Sequence, residues 1–150
     1  MHLAAASDLA RELMDVNGLS AWDFAFDRAR RRLGACWPTR QRITLSRQFV
    51  ELNDEALVRD VILHEIAHAL TPGDGHGPRF KRKARELGCN PAACVSEAAF
   101  NAAPPRFILE CPHCGRTWPR YRRPSARLVC RSCQLELRDR VGELRVGRAA

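Results

Sequence analysis

The sequence predicts an α+β chain in two parts: helices with a small β-sheet over residues 1–103, then a small β-rich module over residues 104–150. Three observations lead there. At 150 residues the chain has room for one ordinary domain or for a small domain plus a mini-domain. Helical and two-residue periodicities both occur before residue 90, in separate segments. Beyond Pro104-Pro105, a stiff pair unable to donate ladder hydrogen bonds, lie two closely spaced cysteine pairs.

The elements follow in order. Residues 7–16 (S-D-L-A-R-E-L-M-D-V) read as a helix, with Ser7 as N-cap and Leu9, Leu13 and Val16 as the apolar stripe. Asn17-Gly18 is a turn. Trp22, Phe24 and Phe26 alternate with polar or small residues, as in a half-buried strand. Arg28 to Arg32 reads as a short helix stopped at Leu33-Gly34. Gln41 to Ser46 alternates again, with Ile43 and Leu45 on one side. Asn53-Asp54 caps a long helix from Glu55 to Leu70, whose apolar side is Leu57, Val58, Val61, Ile62 and Ile66. A glycine-rich loop leads to a helix from Arg79 to Leu87, with Pro78 in its first turn and Gly88 at its end. Residues 89–103 are alanine-rich and carry no clear period.

Composition bounds the function. Hydrophobic residues make up 45% and charged residues 28%, which fits a globular protein and excludes a fibrous or disordered one. Apolar runs are too short for a transmembrane helix, so no membrane partner is expected. The N-terminus has no basic region before its apolar residues and reaches Asp8, Arg11 and Glu12 too early for a signal-peptide core. A cytoplasmic monomer is the expectation, nucleoid-associated if bacterial, with its seven cysteines serving as metal ligands or free thiols.

The long helix carries His64-Glu65-Ile66-Ala67-His68. Two imidazoles four residues apart share a helical face and can converge on one zinc ion at about 2.0–2.1 Å each. Glu65 is rotated by about 100°, so it flanks the ion and can reach a water there. This is the zincin pattern, and burying two histidines and a glutamate in an otherwise apolar segment without a partner would cost several kcal/mol in order of magnitude. A catalytic zinc needs a third protein ligand and an open position. His76, in G-D-G-H-G-P, is the first choice, because Gly73, Gly75 and Gly77 let the loop turn back under the helix end. Asp74 is second, and Glu86 on the next helix third. The chemistry is metal-assisted hydrolysis of a peptide bond with Glu65 as general base. No oxyanion donor stands out; Tyr121, the sole tyrosine, lies in the other module.

Cys111-Pro-His-Cys114 and Cys130-Arg-Ser-Cys133, separated by fifteen residues, have zinc-ribbon spacing. Four thiolates fill a tetrahedron, so this second zinc is structural. Forty-seven residues with few large apolar side chains need such a staple to fold. His113 sits between ligands and reads as exposed and unligated; Gly115 suits a tight turn, whereas Gln134 after the second pair suits one less well. Cys36, Cys89 and Cys94 have no metal spacing and read as buried free thiols.

Net charge is +8 and uneven. Residues 1–103 hold 14 basic and 13 acidic residues, residues 104–150 hold 11 and 4. A compact basic module points to nucleic acid. Arg116, Arg120, Arg122, Arg123 and Arg127 offer bidentate phosphate contacts, and Trp118 and Tyr121 either stack on bases or pack the ribbon core.

Together, W-D-F-A-F-D-R-A-R-R-R-L-G, I-T-L-S, H-E-I-A-H-A-L, G-H-G-P-R-F, C-P-H-C-G, R-Y-R-R-P-S and C-R-S-C resemble the SprT/Spartan-like metalloproteases over roughly residues 20–138. The resemblance implies a minimal zincin with a helical lower half and a small sheet. It implies zinc held at the positions of His64, His68 and His76, with Glu65 as base, and it favours His76 over Asp74. Members related to Spartan degrade proteins crosslinked to DNA, which implies DNA and DNA-bound proteins as partners; the long C-terminal partner-binding tail of Spartan proper is not part of this chain. The competing expectation is a non-proteolytic two-zinc nucleic-acid-binding protein, tied to transcription, whose histidine site is closed by a fourth ligand such as Asp74 or a cysteine.

Overall fold

The computed structural model describes residues 1–91, 104–137 and 142–149. Cys94 and most of the alanine-rich stretch lie outside them. The chain divides into two compact units, Met1–Ala103 and Pro104–Ala150.

In the first unit, α1 (Leu3–Val16) begins earlier than the sequence suggests. The His2 side chain, rather than Ser7, accepts the capping bond from the Ala4 N–H at 3.3 Å. Its buried stripe is Ala6, Ala10, Leu13 and Met14, while Val16 is 74% exposed. The two alanines let α1 come close to the central helix, so the stripe follows the small residues and leaves the valine outside.

A three-stranded sheet follows, in the order β1-β3-β2, from β1 (Asp23–Asp27), β2 (Gly34–Trp37) and β3 (Arg42–Ser46). β1 runs parallel to β3, and β2 runs antiparallel to it as an edge strand. The helix expected over Arg28–Arg32 does not form. The Asp27 carboxylate accepts from the Ala29 N–H at 2.7 Å, turning the chain immediately, and Ser46 Oγ donates to the Ala29 carbonyl at 2.6 Å. Aspartate competing for a nearby backbone N–H is a turn former, not a helix former. Thr44 donates to Asp27 at 2.9 Å and Arg32 pairs with it at 2.6 Å. This explains why Thr44 and Ser46 are buried although they face away from Ile43 and Leu45.

Burial pushes the Asp27 carboxyl up, but the Ala29 N–H, Thr44 and Arg32 outweigh it and hold the group below its usual range. A carboxyl held low in the folded state stabilises above its unfolded value, near about 3.9, and that stability drains away as pH falls through the folded value. Asp27→Asn should therefore cost about 1 kcal/mol at neutral pH and flatten the acid side of the stability–pH curve. Chemical denaturation at a series of pH values reads both effects.

Ser46 caps the short α2 (Arg47–Leu52) through the Phe49 N–H. The central helix α3 (Glu55–Leu70) starts at Asp54, whose side chain accepts from the Leu57 N–H at 2.9 Å. Such a cap contributes about 1 kcal/mol. α3 packs against α1, β2, β3 and α4 (Pro78–Leu87), so it is buried on most sides; Leu63, Ala67 and Ala69 join the expected core. Gly88 ends α4 in the left-handed conformation at φ 77°.

The second unit is a sheet in the order β5-β4-β6, from β4 (Phe107–Glu110), β5 (Thr117–Arg120) and β6 (Arg145–Arg148), with α5 (Arg131–Leu137) between the last two strands. Pro119 sits on the edge strand β5, where a missing donor is tolerated. The buried core here is small: Leu109, Cys111, Cys130 and Cys133, with Trp118 and Leu144 packed around the cysteines. No helix among the described residues is long and apolar enough to cross a membrane.

Candidate active site

The helical period of α3 sets His64 and His68 on one face, and the loop after it supplies the third ring. Thr71 Oγ1 donates to the Ala67 carbonyl at 2.7 Å and closes the helix. Gly73 and Gly75 then take positive φ values of 82° and 56°, which turn the chain back beneath the helix end. His76 Nε2 lies 3.2 Å from His64 Nε2 and 3.2 Å from His68 Nε2. Zinc–nitrogen bonds of about 2.0–2.1 Å in a tetrahedron would set such atoms roughly 3.3 Å apart, so the three imidazoles fit zinc. Three ring nitrogens converging on one point compete for few protons, and a cation among them removes the conflict.

The supports reinforce that reading. Phe80, fully buried, stacks on His68 with ring centres 4.2 Å apart and meets His64 and His76 edge-on at 4.9 Å each. His64 Nδ1 lies 3.3 Å from the Asn90 carbonyl, and the Asn90 N–H donates to Asp60 at 2.9 Å. An Nδ1–H donated there leaves the Nε2 lone pair aimed inward. Burial and the neighbouring imidazoles of His64 and His76 hold His68 down at about 4, and burial also lowers His64. Both shifts favour the neutral ring, the form that ligation requires.

Glu65 flanks this cluster and is only 7% exposed. Burial pushes its carboxyl up to about 7, against the pull of the Cys36 N–H and Arg32. A base poised near working pH is what proton transfer requires. Glu65 and the three histidines line an open cleft of about 410 Å³, walled on one side by Gly34, Ala35 and Cys36 of β2. A Cβ on Gly34 would fall 2.8 Å from Glu65 Oε1 and 2.9 Å from its Cγ. Glycine there is a steric requirement of the carboxylate's position. Gly34→Ala should lower turnover at least tenfold by displacing Glu65, with zinc content unchanged; steady-state kinetics paired with metal analysis checks both.

The other proposed ligands are occupied elsewhere. The Asp74 carboxylate accepts the Phe80 N–H at 2.9 Å, capping α4, and a Cβ on Gly77 would meet its Oδ2 at 2.7 Å. Glu86 is ion-paired with Lys83 on the surface. Cys89 is buried and donates to the Ala84 carbonyl, while burial pushes the half-buried Cys36 thiol up to about 12.

In the second unit, Cys111 and Cys133 sulfurs lie 3.8 Å apart and those of Cys114 and Cys130 3.9 Å apart. All four sulfurs lie within 4.8 Å of one another. A disulfide needs about 2.05 Å, whereas zinc–sulfur bonds of about 2.3 Å place sulfurs roughly 3.8 Å apart. The Cys114 and His113 N–H groups draw the Cys111 thiol down, while burial and the neighbouring thiols push Cys133 up. Gly115, at φ 67°, closes the first knuckle. The second needs no glycine, because the Gln134 N–H donates to the Cys130 carbonyl at 2.8 Å inside the first turn of α5. His113 is outside the cluster and accepts from the Gly142 N–H at 3.0 Å.

The five ribbon arginines are all exposed. Arg127 pairs with Glu143, Arg116 donates to Ser132 and Arg120 to the Pro119 carbonyl. Arg122 and Arg123 have no such partner among the described residues. Trp118 packs on the cysteine core.

Among solved structures, the chain is similar to the metallopeptidase zymogen jannalysin of Methanocaldococcus jannaschii, with a TM-score of 0.49 and 19% identity over 63% of this chain and 85% of that one. A curated relative, Protein SprT-like from Lactiplantibacillus plantarum, is 37% identical over 87 residues, 54% of this chain. The chain spans 58% of that relative's length. The model of the SprT-like family matches residues 6–100, a stretch that contains α3, the glycine-rich loop and all three imidazoles. By that match, the chain belongs to the SprT-like family.

Proposed function

We propose that the chain is a zinc-dependent endopeptidase that acts on proteins associated with, or crosslinked to, DNA. The observation that carries the peptidase reading is the convergence of three Nε2 atoms beside a buried carboxylate in an open cleft. His64, His68 and His76 would hold the zinc, and the four ribbon cysteines a second, structural one. When bound, zinc supplies Lewis acidity, polarising a peptide carbonyl and acidifying water. Glu65 takes the proton of the attacking water and hands it to the departing amide nitrogen. The Cys36 N–H holds the carboxylate in place, and burial keeps it ready to exchange a proton near neutrality. Phe80 and the Asn90 carbonyl fix the imidazole planes. The cleft is open and walled by small residues of β2 and the glycine loop, which gives little side-chain specificity. Selection by location answers that lack: the basic second unit binds DNA and raises the local concentration of DNA-bound protein.

The test is incubation of the purified, zinc-replete chain with a defined DNA–protein crosslink, with and without chelator. Cleavage of the protein component that stops on chelation and returns with added zinc is expected. An intact crosslink under zinc-replete conditions overturns the reading.

A further inference from the structure

The loop and turn at the two ends of β2 hold a second cluster of functional groups, outside the histidine site. Between Asp23 and Arg42 the chain carries six arginines against two aspartates. Two of the six are neutralised: Arg32 by Asp27 at 2.6 Å and Arg42 by Asp23 at 2.9 Å. Arg28, Arg30, Arg31 and Arg40 have no acidic partner among the described residues. Trp37, 42% exposed, stands beside Arg32 and Arg40. The Arg32 guanidinium lies 5.9 Å from its ring centre and the Arg40 guanidinium 5.8 Å.

The two guanidiniums are held differently. Arg32 is pinned by Asp27, so it is a fixed neighbour of the indole. Arg40, on the turn Pro38–Arg40, has no partner but the ring among the described residues and sits near the outer limit of a cation–π contact, about 6 Å. It can swing to a phosphate and leave the ring open. Trp37 pairs with Arg42 across β3 whereas Cys36 pairs with Ile43, so the indole lies on the sheet face opposite the one that Cys36 turns toward the cleft.

A solvated basic face would need no exposed indole at its centre. Unpaired guanidiniums bind phosphates in bidentate fashion, and an exposed indole accepts a flat aromatic ring. An acidic peptide supplies charge without the ring, and a duplex keeps its bases stacked on one another. Single-stranded nucleic acid supplies both. We propose that Trp37 with Arg28, Arg30, Arg31 and Arg40 forms a binding site for single-stranded nucleic acid on the first unit, on the sheet face that Trp37 shares with Arg42. The proposal rests on the reading that the substrates are DNA-bound, and deepens it: the first unit, and not the ribbon alone, binds a single strand.

The test measures binding of an oligothymidine of about 15 nucleotides to the zinc-loaded 150-residue chain across a salt series. The variants are Arg28, Arg30, Arg31 and Arg40 changed together to Ser, Trp37→Ala, Trp37→Phe, and, for comparison, Arg122 and Arg123 changed to Ser. Zinc content and melting temperature confirm that each is folded. The arginine variant should bind more weakly, with a log–log salt slope shallower by about 0.7 for each phosphate left without its guanidinium. Trp37→Ala should weaken binding roughly tenfold and Trp37→Phe should restore most of it. If the first-unit variants bind like wild type while the ribbon variant loses affinity, the proposal fails and the DNA-directed peptidase reading stands. If wild type binds no oligonucleotide, both fail. If a duplex competes as well as the single strand, or if Trp37→Ala changes nothing, the single-strand assignment is overturned. Loss of affinity for polyglutamate but not for oligothymidine would make the site one for acidic peptides.

Discussion

Glu65→Gln should leave both metal centres filled and lower peptidase turnover by about 10²- to 10⁴-fold. Glutamine has nearly the same shape, so the 7%-exposed site can hold it, and its carbonyl oxygen can still accept the Cys36 N–H. It cannot take a proton from water at any working pH. The imidazoles do not depend on it: His64 is oriented by the Asn90 carbonyl and His68 by Phe80. Turnover measured on a DNA-bound protein, beside zinc content by elemental analysis, checks the prediction. A variant that retains zinc and cleaves at the wild-type rate removes Glu65 from the chemistry.

The second large effect concerns the ribbon. Cys111→Ser should unfold the second unit and leave the first folded. Among the described residues, the buried apolar material there is Leu109 and three of the cysteines, with Trp118 and Leu144 packed against them. Such a core cannot repay the ordering of its backbone. Zinc binding by four thiolates contributes about 10–16 kcal/mol in small modules of this kind, which exceeds any plausible deficit. Serine in place of a fully buried ligand breaks the tetrahedron. Hydrogen exchange resolved along the chain should then show β4, β5 and β6 exchanging at unfolded rates, with α3 still protected. Protection retained in all three strands would mean that the fold of this unit does not depend on metal.

Much of this architecture was legible in the chain because the chemistry lies in short, rigid spacings. The HExxH spacing needs only a helix, Asp54 announces where that helix starts, and the four sulfurs need only two tight turns. Other features depended on contacts distant in sequence. Gly34-Ala-Cys-Trp37 has neither alternation nor strong strand propensity; it becomes β2 because β3 offers a pairing edge. The arginines after β1 have good helix propensity, yet Asp27, Thr44 and Ser46 bind that segment as a turn. Phe80 and Asn90 carried no sequence signal of their roles, since stacking beneath imidazoles and a carbonyl reaching Nδ1 are set by tertiary packing. Only the arrangement G-H-G-P-R-F, with Phe80 four residues beyond His76, hinted at the first. Gly34 reads as the stop of a short helix, and its close approach to Glu65 is set by tertiary packing.

A crystal structure of the zinc-replete chain, with anomalous scattering to locate the metal, is the most direct test of the histidine centre. Zinc bound by the Nε2 atoms of His64, His68 and His76 at about 2.0–2.1 Å, with its remaining position facing the cleft and Glu65 alongside, is the expected result. An ion enclosed by a fourth side chain, or no ion among the three imidazoles while the ribbon is loaded, would contradict it.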